Sequence, residues 1–193
     1  VTIDHVFNNR AAVVSDNVRG MEELVRYVYA KGHRRIAFIH GEQTAVTENR
    51  LTGFYRACDA LELEIPDAYI REGVYHDPDR CAELTRELLR LPEPPTCILM
   101  PDDFSSIGGR NAIHRMDLRL PEDISVAGYD GIQIASVMSP ALTTYRQDTQ
   151  ALGRTAAAKL IELIEKPRTA LVDRVLIPGH LVEGASVRTI ETL

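Results

Sequence analysis

Three short apolar runs, each punctuated at its C-terminal end by glycine or aspartate and followed by helix-forming sequence, restrict the folds open to this chain. They are Arg35-Ile36-Ala37-Phe38-Ile39-His40-Gly41, Cys97-Ile98-Leu99-Met100 and Ile124-Ser125-Val126-Ala127-Gly128-Tyr129-Asp130. A run that stays apolar without alternating is covered on both faces, as strands of a parallel sheet are. Between the runs lie amphipathic helices. Val18, Met21, Leu24, Val25 and Val28 hold one face over residues 17–31, with Gly32 as the C-terminal cap. Leu51, Phe54, Cys58 and Leu61 mark a second helix. Asp77-Pro78 opens a third, Asp as N-cap and Pro at the first helical position, with the stripe Cys81, Leu84, Leu88 and Leu91. Phe104, Gly108, Ala112 and Met116 predict a fourth; Leu152, Ala156, Leu160 and Leu163 a fifth. Alternating strands and helices give a doubly wound α/β fold, whose ligands bind beyond the carboxyl ends of the strands. Gly41, Asp102, Asp103 and Asp130 lie at those ends.

Composition narrows the partners. The 193 residues, 45% apolar and 26% charged, suffice for one large domain or two lobes. No segment approaches the roughly 20 apolar residues of a membrane span, so no membrane partner is expected. Val1 to His5 reads as an interior strand, which implies sequence upstream; no basic, apolar leader is visible. A net charge of −6, with no basic cluster beyond His33-Arg34-Arg35, is a poor match to a polyanion, so this stretch does not read as the part that touches DNA. Cys58, Cys81 and Cys97 show no metal or redox spacing and read as free thiols packed in a reducing cytoplasm.

Enzyme signatures are missing from the sequence. There is no G-x-G-x-x-G turn, no phosphate-binding G-x-x-x-x-G-K-[ST] loop and no G-x-S-x-G elbow. His5, His33, His40, His76, His114 and His180 have no metal-ligand spacing, and no cofactor is expected. Asp102 and Asp103 could be paired as acid and base, but neighbours on a strand point to opposite faces.

Four stretches carry a resemblance. Asp16-Asn17-Val18-Arg19-Gly20 followed by Gly32-His33-Arg34-Arg35-Ile36 through Gly41, then Arg50-Leu51-Thr52-Gly53-Phe54, then Pro121-Glu122-Asp123-Ile124-Ser125-Val126-Ala127-Gly128-Tyr129-Asp130, and last Pro140-Ala141-Leu142-Thr143-Thr144-Tyr145-Arg146-Gln147 stand in order and at fitting separations. Together they resemble the effector core of LacI/GalR-type transcription regulators, from Val1 to about Gly184. The resemblance implies a periplasmic-binding-protein-like fold of two lobes, each a doubly wound parallel sheet, with three crossings and one lobe incomplete. Residues 1–32 and 141–165 would belong to the N-terminal lobe, 33–140 and 166–193 to the C-terminal lobe. The DNA-binding headpiece would lie outside this chain. The helix at 17–31 cannot bury its stripe on strand 1–5 alone, which also places its partners outside.

The function implied is binding of a small effector, a sugar or sugar derivative, between the lobes of a cytoplasmic homodimer that holds operator DNA through the headpiece. A secreted sugar receptor of a transporter shares the fold and remains the alternative; the leader would separate the two. By the resemblance, Arg50 reaches the ligand, and its planar fork can clamp two oxygens. Asp130 matches a ligand-bonding aspartate, against the alternative of a turn former. Tyr75 stands where an aromatic stacks on ligand or where a strand tyrosine is half buried. Asp16 either contacts ligand or caps the helix beginning at Asn17. Gln147 approaches the pocket at the lobe crossing, and Thr44 shares the loop of Arg50. Asp102 replaces the asparagine common at its position. Facing the pocket it could only accept hydrogen bonds, so the ligand would have to donate.

Overall fold

A computed structural model describes residues 1–167, 169 and 171–191. In chain order the elements are β1 (Thr2–Ile3), β2 (Ala12–Ser15), α1 (Asn17–Ala30), β3 (Ile36–His40), α2 (Ala45–Ala60), β4 (Ile70–Glu72), α3 (Pro78–Leu89), β5 (Cys97–Leu99), α4 (Ser106–Arg115), β6 (Ser125–Asp130), α5 (Gln133–Val137), β7 (Thr143–Arg146), α6 (Thr149–Glu165), β8 (Arg174–Ile177) and β9 (His180–Val182). They form a six-stranded sheet in the order β4-β3-β5-β6-β7-β9, parallel except for the β7–β9 pair, and a parallel three-stranded sheet β1-β2-β8. The chain passes between the sheets after β2, after β7 and after β8.

Strand periodicity sorts the core of the large sheet. Ile36, Phe38, Cys97, Leu99 and Tyr129 face α1 and α2, while Ala37, Ile39, Ile98, Met100 and Val126 face α3 and α4. Each face is therefore apolar, which is why these strands carry no polar alternation. Cys58 and Cys97 sit in the first of these cores and Cys81 in the second. Burial pushes the thiols of Cys58 and Cys81 up to about 12, so they act as small apolar residues.

The allocation of segments to lobes differs from the boundaries drawn on the sequence. The stripe of α1 (Met21, Leu24, Val25, Val28) packs on α2 and on the large sheet, so 17–30 joins that sheet and finds its partners within the chain. Of 141–165, β7 lies in the large sheet and only α6 covers the small one; of 166–193, β8 lies in the small sheet. An apolar stripe says that a helix has a buried face, and tertiary contacts decide against what. Strand β1 is an edge of the small sheet with Ile3 half exposed, not an interior strand. Helix α6 buries Leu152 and Ala156 against Val13, Val175 and Ile177, while Leu160, Ile161 and Ile164 stay exposed. Phe104, expected in the stripe of α4, precedes that helix and is 40% exposed.

Gly53 marks the closest approach of α1 and α2: a β-carbon there would run into the Val18 carbonyl oxygen. Gly153 on α6 has open space around it. Gly53→Ala should therefore cost about 1–3 kcal/mol through overpacking, and Gly153→Ala should gain up to about 1 kcal/mol of helix propensity. Urea melts of the two variants check the opposite signs.

His33 is fully buried, its Nε2 3.1 Å from the Arg188 carbonyl oxygen and its Nδ1 2.9 Å from Thr96 Oγ1. A carbonyl only accepts, so Nε2 carries the proton of a neutral ring. Burial lowers the His33 pKa to about 4, from 6.5 in the unfolded chain. With the folded pKa depressed, its contribution is complete above pH 6.5 and is lost as pH falls through about 4. Thermal melts between pH 7 and 4 should show this acid slope, and His33→Gln should flatten it.

Candidate functional site

Helix α2 starts at Thr44, whose Oγ1 accepts the Thr47 N–H at 3.2 Å. Its buried face carries Arg50, 3% exposed, beneath the carboxyl ends of the strands. The guanidinium donates from Nε to Asn17 Oδ1 at 3.0 Å, from Nη1 to the Pro101 carbonyl at 2.8 Å and from Nη2 to Asp130 Oδ1 at 3.1 Å. It stacks 3.7 Å from the centroid of the Tyr129 ring and 5.4 Å from that of Tyr75. Burial works against the charge, yet Asp130 and the two tyrosines outweigh it and hold the Arg50 pKa above its ordinary value.

Asp130 ends β6 at φ +101°, a conformation non-glycine residues rarely adopt. Gln147 holds it from β7's far end: its backbone N–H donates to the Asp130 carbonyl at 3.1 Å and its Nε2 to Asp130 Oδ1 at 2.6 Å. The Gln147 Oε1 in turn accepts from the Ser15 hydroxyl at the end of β2. Beneath this turn, the buried Asp103 accepts from Thr144 Oγ1 at 2.6 Å and from the Ile132 N–H at 2.9 Å. Burial pushes the Asp103 carboxyl up to about 7, against the downward pull of those donors.

Above Arg50 opens a cavity of about 420 Å³ at the ends of β3, β4, β6 and β7. Of the seven residues expected from the sequence, it brings together Thr44, Arg50, Tyr75, Asp130 and Gln147, and adds Asp4, His5, Glu42 and His76. Tyr75 is fixed as a wall: its hydroxyl lies 2.9 Å from Thr47 Oγ1 and its N–H donates to Glu42 Oε2 at 2.9 Å.

Two expected residues are not brought to this cavity. Asp16 caps α1, accepting the Arg19 N–H at 3.2 Å, and lines a separate hollow with Arg19 and Arg174. Asp102 is fully buried. Its Oδ1 accepts the Ser105 N–H at 2.7 Å, and its Oδ2 accepts the Ser105 hydroxyl at 2.7 Å and the His76 N–H at 3.0 Å. Its acceptors are committed to its own loop and to the His76 N–H, so Asp102 places no demand for donors on a ligand; it anchors the segment that carries Tyr75. Asn17, Tyr129 and Asp103, not expected from the sequence, support Arg50 and Asp130. Each adjoins an expected residue in the sequence, and Asp103 also stands at a strand's carboxyl end.

The sequence profile of the periplasmic binding protein-like domain matches residues 25–187. The chain belongs to that family. Within it, the periplasmic binding protein-like chain is 32% identical to ExuR of Bacillus subtilis (strain 168), described as an HTH-type transcriptional repressor, over 93% of its own length and 54% of that relative. It matches the structure of a transcriptional regulator described as LacI from Bacillus cereus subsp. cytotoxis with a TM-score of 0.88 at 26% identity, covering 94% of this chain and 64% of the other. It matches the transcriptional regulator CelR in its cellobiose complex with a TM-score of 0.85 at 29% identity, covering 92% and 54%. The chain spans about half the length of the curated relatives it matches.

Removing the Arg50 charge strands Asp130 and unpairs Asn17 and the Pro101 carbonyl. Loss of one partner from a buried pair costs roughly 3–5 kcal/mol; with the Asp130 side chain 21% exposed, Arg50→Met should fall near the lower figure. Denaturant unfolding measures it, with Arg19→Met, whose partner Glu23 lies on the exposed face of α1, expected to leave the unfolding midpoint essentially unchanged.

Proposed function

We propose that this chain is the effector-binding core of a DNA-binding transcription regulator of the LacI type, and that its effector, a sugar or sugar derivative, occupies the cavity above Arg50. The observation that carries the reading is the Arg50–Asp130 pair on the floor of a cavity of about 420 Å³, walled by the Tyr75 ring. A carboxylate held in place by its own partners, beside an aromatic face, is the chemistry that binds neighbouring hydroxyls over an apolar ring surface. Thr44 and Gln147 complete the polar rim. The cellobiose bound by CelR supports a sugar, and the regulators among the relatives favour this reading over a secreted receptor.

The cavity touches both sheets: Asp4 and His5 follow β1 of the small sheet, while Arg50, Tyr75 and Asp130 belong to the large one. A ligand bridging them favours one arrangement of the two by its differential affinity, and that bias is what would reach a headpiece on DNA. The site binds and does no chemistry in this reading. We also assign the protein to the cytoplasm and to a homodimer; exposed Phe104, Ile132 and Val137 near the turn after β6 support an associating face.

The test uses the protein in its full native length. Ligand at 100 times its Kd should stabilise the fold by about 2.7 kcal/mol, visible as a thermal shift with a neutral sugar from a panel of pentoses, hexoses and disaccharides. The same sugar should change the affinity for operator DNA in a mobility-shift assay, and Tyr75→Leu should weaken sugar binding at least tenfold. Binding without any effect on DNA would turn the reading toward a receptor; no shift with any sugar would overturn it.

A further inference from the structure

We infer that the cavity accepts an uncharged, hydroxyl-bearing ligand and turns away anionic ones, with Glu42 as the residue that selects. This rests on the cavity above Arg50 being the effector site.

The one guanidinium lining the cavity is not available to an anion. Three of its nitrogens already donate, to Asn17, the Pro101 carbonyl and Asp130, and its side chain is 4% exposed. Its charge is matched at 3.1 Å by Asp130 and spread over the Tyr129 ring. A phosphate or carboxylate entering from the open side would have to displace Asp130 to reach it, and Asp130 is held in turn by Gln147.

Beside the exposed imidazoles of His5 and His76, the walls still offer open carboxylate oxygens. Asp130 Oδ2 and Glu42 Oε1 have no hydrogen-bond partner among the described residues, whereas their sister oxygens are bound to Arg50 and Gln147 and to the Tyr75 N–H. Asp4 brings a third carboxylate, its Oδ1 taken by the Ser15 N–H at 2.6 Å. Three carboxylates thus face one guanidinium, and no lysine lines the cavity. An open carboxylate oxygen is satisfied by a donor, which a sugar hydroxyl supplies and an ionised phosphate or carboxylate group does not. The Tyr75 ring and Val46 give the apolar surface on which the C–H face of a sugar ring rests.

Glu42 decides the charge preference because it stands at the exposed rim, tied to the backbone of the stacking Tyr75 and free on its outer oxygen. Its charge opposes an incoming anion at the rim that it shares with the exposed imidazoles of His5 and His76. At an exposed position this repulsion is screened by salt, so the discrimination should shrink as ionic strength rises.

Isothermal titration of the full-length protein with glucose, galactose, ribose and cellobiose, and with glucose 6-phosphate and galacturonate, tests the inference at low and high salt. The expected result is binding of a neutral sugar at least tenfold tighter than either anion, with the gap narrowed severalfold by Glu42→Gln and by salt. Tighter binding of glucose 6-phosphate or galacturonate, lost in Tyr75→Leu, would overturn the charge preference while leaving the cavity as the effector site. A gap unchanged in Glu42→Gln would remove Glu42 as the selector. Failure of every sugar, neutral or anionic, would overturn the effector reading itself and this inference with it.

Discussion

A guanidinium buried below a cavity has to be neutralised and hydrogen-bonded, and much of the large sheet's ligand-facing end is organised by how Arg50 meets that demand. Its partners come from three places in the chain: Asn17 at the start of α1, the carbonyl after β5, and Tyr129 with Asp130 at the end of β6. An unpaired charge there would cost several kcal/mol. The pair therefore constrains the entry of α1, the seating of α2 and the unusual backbone of Asp130 together. Asp103, Thr144 and Gln147 brace that backbone from below and from the side, so the strain at Asp130 is carried by a set of contacts and not by one.

The same set lies beside the points where the chain changes sheet. Ser15 ends β2 immediately before α1 and donates to Gln147, which lies between β7 and α6. Asp4 of the small-sheet side accepts from the Ser15 N–H. A hydrogen-bonded path thus runs from Asp4 through Ser15 and Gln147 to Asp130 and Arg50, along two of the three connections between sheets. The path joins Asp130 by direct hydrogen bonds to the segments that connect the two sheets.

Much of this was legible from the residues, and the misreadings share a cause. The helices α1 to α4 and the strands β3, β5 and β6 follow from apolar stripes and runs, because burial on one face or two leaves its pattern in the residues themselves. The assignment of α1 to the small lobe failed because a stripe carries no address: Met21, Leu24 and Val28 would satisfy any apolar surface, and only the close approach at Gly53 shows which one they meet. Asp102 was misplaced for a related reason. An aspartate at a strand end looks the same whether it points into a cleft or folds back, although Ser105 three residues on is a local partner that competes for its oxygens. Arg50, Asp130, Tyr75, Gln147 and Thr44 were legible as a group through the resemblance. Asn17, Tyr129 and Glu42 were not, since each acts through a neighbour that only the fold supplies.

That distinction bears on how ligand preference is encoded. Arg50 read alone looks like an anion clamp, a planar fork at the mouth of a cleft. In the structure its charge and most of its donors are consumed internally, and what it gives the cavity is a fixed Asp130 with one oxygen left open. The cation is the support, and in the proposed reading the carboxylate is what meets the ligand. Rim residues such as Glu42 are exposed and make no contact with the buried pair, so the proposed preference can be altered there without disturbing Arg50 and Asp130.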